Sequence, residues 1–103
     1  MYKGTTPTFT LTFPEGTDFS LTSSVVCTFA KDDKTVAVKR DDELVIDGNV
    51  IEVYFSQEET LKFPLGAIGV QVNWTYNEGG TAKRACSTIA KVWVDANLYK
   101  AVI

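Results

Sequence analysis

Apolar side chains occupy every second position in four separate stretches of this chain, and this spacing constrains the fold more than any other feature. The four stretches are Phe9–Phe13, Val25–Phe29, Ile51–Phe55 and Ile68–Tyr76. Successive side chains of a β-strand point to opposite faces of a sheet, so a period of two predicts strands with one buried face. The chain therefore reads as an antiparallel β protein, with no helix long enough to connect parallel strands.

Turn-forming residues separate these strands and predict three hairpins. Asp47-Gly48 is the strongest short hairpin signal, because a type I′ turn needs residues that tolerate positive φ. Asp32–Lys34 and Asn77–Thr81 predict two further hairpin loops. The two long stretches Phe19–Ala30 and Ala82–Val94 are each predicted to form one strand, the first with a bend or bulge near Ser23 and Ser24.

One short helix is expected in the middle of the chain. Ser56 with Glu59 three residues later matches a capping box, while Pro64 and Gly66 leave room for only one or two turns. The 103 residues fit one domain. We expect an all-β fold over residues 1–103, a two-layer antiparallel immunoglobulin-like β-sandwich of about seven strands with one short helical turn.

The chain contains no histidine, which excludes Ser-His-Asp and Cys-His catalysis and histidine-based zinc sites. We expect no enzyme activity and no cofactor. The net charge of −3 disfavours nucleic-acid binding, which depends on neutralising phosphates. No apolar run is long enough to cross a bilayer, so we also expect no membrane partner.

Cys27 and Cys86 both lie on strand positions whose parity points inward. We interpret them as reduced, buried thiols that pack as small apolar groups. A disulfide between them remains open, and it would require Cα atoms within about 7 Å. Met1–Pro7 contains no apolar segment typical of a signal peptide, which predicts production in a cytosol, where thiols stay reduced.

Two groups of residues suggest ligand binding as an alternative. The first consists of loop carboxylates that could bind calcium, although their spacing fits no EF-hand and solvated turn charges explain them as well: Asp32, Asp33, Asp41, Asp42 and Glu43. The second consists of aromatic residues that could stack on sugars: Trp74, Trp93, Tyr54, Tyr76 and Tyr99. Trp74 shares the inward parity and is the best candidate for a core tryptophan.

Apolar residues near the C-terminus predict a protein interface. Most termini are polar and loose, whereas this one ends on Val-Ile. Large apolar side chains also fall on both faces of the last strand. The candidate interface residues are Ile89, Trp93, Leu98, Tyr99, Val102 and Ile103.

Several stretches in order, Gly4–Phe9, Asp47–Val53, Ser56–Phe63 and the late strand pair around Asn77–Thr81, carry a family resemblance. The chain resembles small β-sandwich proteins of phage and prophage tail-gene clusters and is similar to the N-terminal domain of phage baseplate upper proteins. Those baseplate proteins continue into further domains. The resemblance implies no catalytic residues, production in a bacterial cytoplasm, and a structural or adaptor role in a tail or baseplate.

The expected function is therefore that of a non-enzymatic structural or adaptor protein of a phage or prophage tail or baseplate. Its partners would be copies of itself, as a homo-oligomer, or other tail proteins, contacted through strand edges or sheet faces. The alternative is a carbohydrate- or ligand-binding β-sandwich module.

Overall fold

The computed structural model describes residues 1–103 and consists of two antiparallel sheets packed face to face, which confirms the predicted all-β sandwich. There are eight strands rather than about seven, because a break divides the last predicted strand. The strands are β1 (Thr8–Thr12), β2 (Ser24–Lys31), β3 (Lys34–Arg40), β4 (Leu44–Asp47), β5 (Val50–Tyr54), β6 (Gly66–Glu78), β7 (Thr81–Cys86) and β8 (Ala90–Val94). Helix α1 spans Gln57–Leu61, and 3₁₀ turns span Phe19–Leu21 and Asp41–Glu43.

The smaller sheet has the strand order β1-β5-β4, and the larger sheet has the order β3-β2-β6, with β7 and β8 sharing the far edge of β6. In a constant-type immunoglobulin domain the second strand belongs to the sheet of the first, fourth and fifth strands. Here β2 lies in the other sheet, between β3 and β6. The sandwich architecture is therefore as expected, while this one strand departs from the immunoglobulin order.

The core lies between the two sheets and contains side chains from both. Phe29 of β2 lies at its centre, with its ring centroid 5.4 Å from that of Phe9 and 4.9 Å from that of Phe55. Full burial of one such ring contributes about 1.5–3 kcal/mol. The buried apolar residues are Phe19, Val25, Cys27, Phe29, Leu44, Ile51, Val53, Phe55, Phe63, Ile68, Val70, Val72 and Val94.

The three predicted hairpins are present, and one of them turns one residue later than expected. Asp47 pairs with Val50, so the turn residues are Gly48 and Asn49. Only Gly48 of the two has positive φ, which matches a type II′ turn rather than type I′. The β6–β7 hairpin turns through Gly79 and Gly80, both with positive φ, and every residue from 77 to 84 is exposed.

The prediction of one strand over Phe19–Ala30 was wrong for its first five residues, because β2 begins at Ser24. Asp18 accepts hydrogen bonds from the N–H and hydroxyl of Ser20 at 2.9 and 2.6 Å, which fixes a 3₁₀ turn instead of a strand. Phe19 still reaches the core, but Leu21 is 79% exposed. The inward positions of Val25, Cys27 and Phe29 are confirmed.

The predicted short helix is confirmed together with its capping box. Ser56 Oγ accepts the N–H of Glu59 at 3.2 Å, and Glu59 Oε1 accepts the N–H of Ser56 at 3.0 Å. On the inner side of α1, the buried Thr60 hydroxyl donates to the Thr5 carbonyl at 2.7 Å. The helix therefore ties the segment before β1 to the segment before β6.

Candidate interaction surfaces

The edge of the larger sheet contains an irregularity between β7 and β8 that was not expected from the sequence. In β7, Asn73 pairs with Cys86, whereas in β8, Val70 pairs with Ala90. Two residues of β6 therefore lie opposite the three residues 87–89 that connect β7 to β8, which is a one-residue β-bulge. Ser87 closes the bulge, because its N–H donates to the Val72 carbonyl at 2.8 Å and its hydroxyl oxygen accepts the Val72 N–H at 3.0 Å.

The bulge reverses the side-chain parity between β7 and β8, so the predicted inward position of Cys86 is wrong. Cys86 is exposed and lies on the solvent side of the sheet, while Cys27 is completely buried on the inner side. Both thiols are free, so the disulfide is not formed. Burial raises the pKa of the Cys27 thiol to about 12, which keeps that group protonated.

The solvent side of the larger sheet, here called the outer face, carries Trp93 and Ile89. Trp93 is 61% exposed and Ile89 is 60% exposed. The Trp93 indole N–H donates to Asp95 Oδ1 at 3.0 Å, which fixes the ring. A methyl group of Ile89 lies 3.0 Å from the position where Gly69 would carry a Cβ atom, so the isoleucine lies directly over that glycine.

Small residues beside Ile89 leave a shallow hollow on the outer face. Its volume is about 270 Å³, and the small residues Ala30, Ala67 and Gly69 line it. The other lining residues are Thr28, Asp32, Gln71, Ile89 and Lys91. A flat sheet with large residues at these positions would have no such recess. The hollow suits a protruding side chain of a partner, because small residues permit close approach.

The C-terminal segment, residues 97–103, carries the other four candidate interface residues. Leu98, Tyr99, Val102 and Ile103 are exposed by 101, 59, 45 and 96% respectively. Few bonds hold the segment: Asn97 Nδ2 donates to the Lys3 carbonyl at 3.0 Å, and the Ile103 N–H donates to Gln57 Oε1 at 2.8 Å. The six residues therefore fall into two surfaces, with two residues on the outer face and four in the C-terminal segment, whose last residue lies beside α1.

A cleft between the two sheets, here called the edge cleft, was not expected from the sequence. It has a volume of about 510 Å³ and opens between β1 and the bulge of β7 and β8. Its apolar lining comes from both sheets, and its polar lining consists only of threonine and serine. The lining residues are Thr10, Leu11, Thr12, Phe13, Pro14, Thr17, Val70, Val72, Trp74, Ser87, Thr88 and Ala90.

The aromatic residues suggested for sugar stacking do not share one surface. Trp74 is partly buried against the core and packs edge-on against Phe19, with ring centroids 5.3 Å apart. Tyr54 lies on the solvent side of the smaller sheet, whereas Trp93 lies on the outer face of the larger sheet. A platform of these five side chains is therefore not formed.

Two of the five loop carboxylates, Asp41 and Glu43, accept hydrogen bonds from donors of this chain. Asp41 Oδ1 accepts the Val25 N–H at 3.1 Å and the Ser24 hydroxyl at 2.9 Å, and these bonds hold the pKa of Asp41 below its ordinary value. No group of three or more Cys, Asp or Glu side chains is arranged to hold a metal ion.

One ion pair joins β3 to helix α1 at the margin of the core. Lys39 Nζ lies 2.7 Å from Glu59 Oε2 and 5.0 Å from the centre of the Phe55 ring. Burial acts to raise the pKa of Glu59, but the hydrogen bonds from Lys39 and from the Ser56 N–H outweigh it, so the pKa is lowered.

Comparisons of the chain with protein-family models, curated proteins and solved structures find no match. None of its helices is long and apolar enough to span a membrane. The resemblance to phage tail proteins therefore remains a prediction from the sequence.

Proposed function

We propose that this chain is a non-enzymatic structural or adaptor protein of a phage or prophage tail or baseplate that acts through protein–protein contacts. The observation that carries the contact role is the pair of exposed apolar side chains on the outer face, Trp93 and Ile89, at a hollow whose lining includes two alanines and a glycine. Tryptophan is enriched at the energetic centres of protein interfaces. The virion setting rests on the family resemblance of the sequence.

The C-terminal segment supports the same role from a second position. Leu98 and Ile103 are almost completely exposed, although both side chains are large and apolar. Exposed apolar groups of this size favour a partner that covers them. The chain thus offers two surfaces, which is what an adaptor between two neighbours needs.

Mass spectrometry of purified particles tests the virion role. Particles are prepared from induced cells of the strain that encodes this chain, and the chain is quantified against the major tail protein. We expect a fixed ratio between the two through successive density-gradient steps. A chain that is abundant in the lysate but is lost from the particles would contradict the proposal.

A second candidate function is binding of a small ligand or sugar, and the edge cleft favours it. Ligand sites are typically clefts of about 300–1,000 Å³ with mostly apolar walls, and this cleft of about 510 Å³ includes Trp74 in its lining. Tryptophan fluorescence during titration with glycans and with calcium tests this function. A spectrum unchanged by every addition, together with an empty glycan array, would exclude it.

A further inference from the structure

One strand edge beside the edge cleft has unpaired backbone groups. β1 pairs only with β5, and the Phe13 N–H donates to the Asn49 carbonyl just beyond that pairing. Backbone groups alternate in direction along an antiparallel strand, so those of Thr8, Thr10 and Thr12 point away from β5. These three residues therefore present free donors and acceptors at the edge of the smaller sheet.

β1 is also the only edge strand without a charged residue. Charged side chains, especially lysine, are a common protection of strand edges against pairing with other chains. The other edge strands all carry them: Lys34, Lys39 and Arg40 in β3, Asp47 in β4, Lys83 and Arg84 in β7, and Lys91 in β8. The unprotected edge is thus confined to one place on the molecule.

The sequence of β1 is symmetric in character about its central residue. It reads Thr-Phe-Thr-Leu-Thr, with Thr10 in the middle. The three threonines lie on the solvent side, while Phe9 and Leu11 point toward the core. Reversing the strand direction therefore preserves both the solvent-facing and the core-facing pattern.

We propose that β1 pairs antiparallel with β1 of a second copy of this chain, in a register centred on Thr10. Thr10 would lie opposite Thr10 of the other copy, and Thr8 opposite Thr12, so that the free backbone groups satisfy one another. Phe9 would lie beside Leu11 of the other copy on the core side. The two smaller sheets would join into one continuous sheet around a two-fold axis.

The edge cleft gives this pairing an apolar component. Leu11 and Phe13 are half-buried at its margin, and none of the residues lining it is charged. A second copy would bring Phe9 and Leu11 toward this opening. The inference rests on the proposed contact role and names its partner at one edge, while the outer face and the C-terminal segment stay free for other proteins.

The molecular mass in solution is the first test, measured by light scattering during size exclusion. We expect the mass of two chains of 11.3 kDa each. Thr10→Lys places two like charges opposite each other on the two-fold axis, and we expect it to weaken the dimer about tenfold or more. Thr35→Lys is the matched control, because Thr35 is exposed on a different edge strand, β3, and should leave the dimer intact.

Cysteine cross-linking then tests the register, in a Cys86→Ser background. Opposed residues of a hydrogen-bonded pair have Cα atoms about 5.5 Å apart, which allows a disulfide. Thr10→Cys should therefore form a covalent dimer on mild oxidation. Thr8→Cys alone should not, since its two copies would lie about 14 Å apart, whereas the Thr8→Cys, Thr12→Cys double variant should.

Each result decides the inference. A dimer that Thr10→Lys dissociates and Thr10→Cys cross-links supports it. A monomeric protein overturns it. A dimer that Thr10→Lys does not weaken, or one that Thr8→Cys alone cross-links, also overturns it. Circular dichroism of each variant separates loss of pairing from loss of folding. A monomer that is nevertheless present in particles would refute only this inference, whereas a dimer absent from particles would refute only the virion role.

Discussion

Ser87 and Val72 exchange two hydrogen bonds across the bulge, one through the Ser87 N–H and one through its hydroxyl oxygen. An ordinary strand would use its own carbonyl for the second bond. In the bulge, the serine side chain takes that place, so the N–H of the buried Val72 still has an acceptor. One side chain therefore maintains the pairing where the register of the larger sheet shifts.

Ser87→Ala is predicted to lower the free energy of unfolding by about 1–3 kcal/mol, because the Val72 N–H would lose its acceptor. Urea denaturation followed by tryptophan fluorescence measures this change. Thr88→Ala is the matched control at an exposed neighbour and should change the free energy by less than about 0.5 kcal/mol. Equal effects of the two substitutions would contradict the assigned role of Ser87.

The two cysteines are predicted to differ sharply in reactivity. Cys86 is exposed, whereas Cys27 is buried and its pKa is raised to about 12. A thiol reacts as its thiolate, so a colorimetric disulfide reagent should label one thiol in the folded protein and two in denaturant. Cys86→Ser should then show no fast labelling. Absence of fast labelling in the wild-type protein would mean that the parity reversal at the bulge is misplaced, whereas fast labelling of both thiols would contradict the burial of Cys27.

Acid is predicted to weaken the link between β3 and α1. The pKa of Glu59 is lowered from 4.5, so its contribution to stability is present above that pH and is lost as pH falls through the lower, folded-state value. Because 40% of the Glu59 side chain is exposed, we expect the contribution to stay below about 1 kcal/mol.

Paired unfolding curves of wild type and Glu59→Gln measure this contribution across the acid range. The stability difference between them should be largest near neutral pH and should shrink below pH 4.5. Glu58→Gln is the control, since Glu58 is exposed on the same helix and has no salt bridge within the chain. A Glu59→Gln difference that is constant with pH would contradict the assignment.

Removal of Val102 and Ile103 is predicted to weaken the contacts with partner proteins without changing the stability of the fold. Both residues are exposed, and the only hydrogen bond of Ile103 runs from its N–H to Gln57. The free energy of unfolding of the truncated chain should therefore lie within about 0.5 kcal/mol of that of the full chain. Its incorporation into particles should fall, as measured by quantitative mass spectrometry. Full incorporation of the truncated chain would remove the C-terminal segment from the proposed contacts.

Features that depend on residues close together in the sequence could be predicted correctly. The alternation along β6, the hairpin at Gly79-Gly80 and the Ser56 cap all follow from local spacing and turn chemistry. The 3₁₀ turn at Phe19 was missed, although Asp18 two residues before Ser20 carried a signal for it, since aspartate side chains commonly bind the backbone two residues on.

Features that depend on distant parts of the chain could not be predicted. No particular residue type marks the position of a β-bulge in a sequence. The bulge at Ser87 and the exposed position of Cys86 therefore become evident only from the pairing with β6. The position of β2 beside β6 and the edge cleft likewise depend on residues that are distant in sequence. All six candidate interface residues are exposed, and their role in an interface stays a prediction. Their division between two surfaces depends on the path of the chain after β8.

The central claim is that the outer face is covered by a protein partner in the assembled particle, and oxidative footprinting of Trp93 tests it most directly. Free protein and purified particles receive the same dose of hydroxyl radicals, and mass spectrometry measures the oxidation of this side chain. Because Trp93 is 61% exposed in the free chain, we predict that its oxidation slows severalfold in the particle. Oxidation at the same rate in both samples would show that no partner covers this face and would contradict the account.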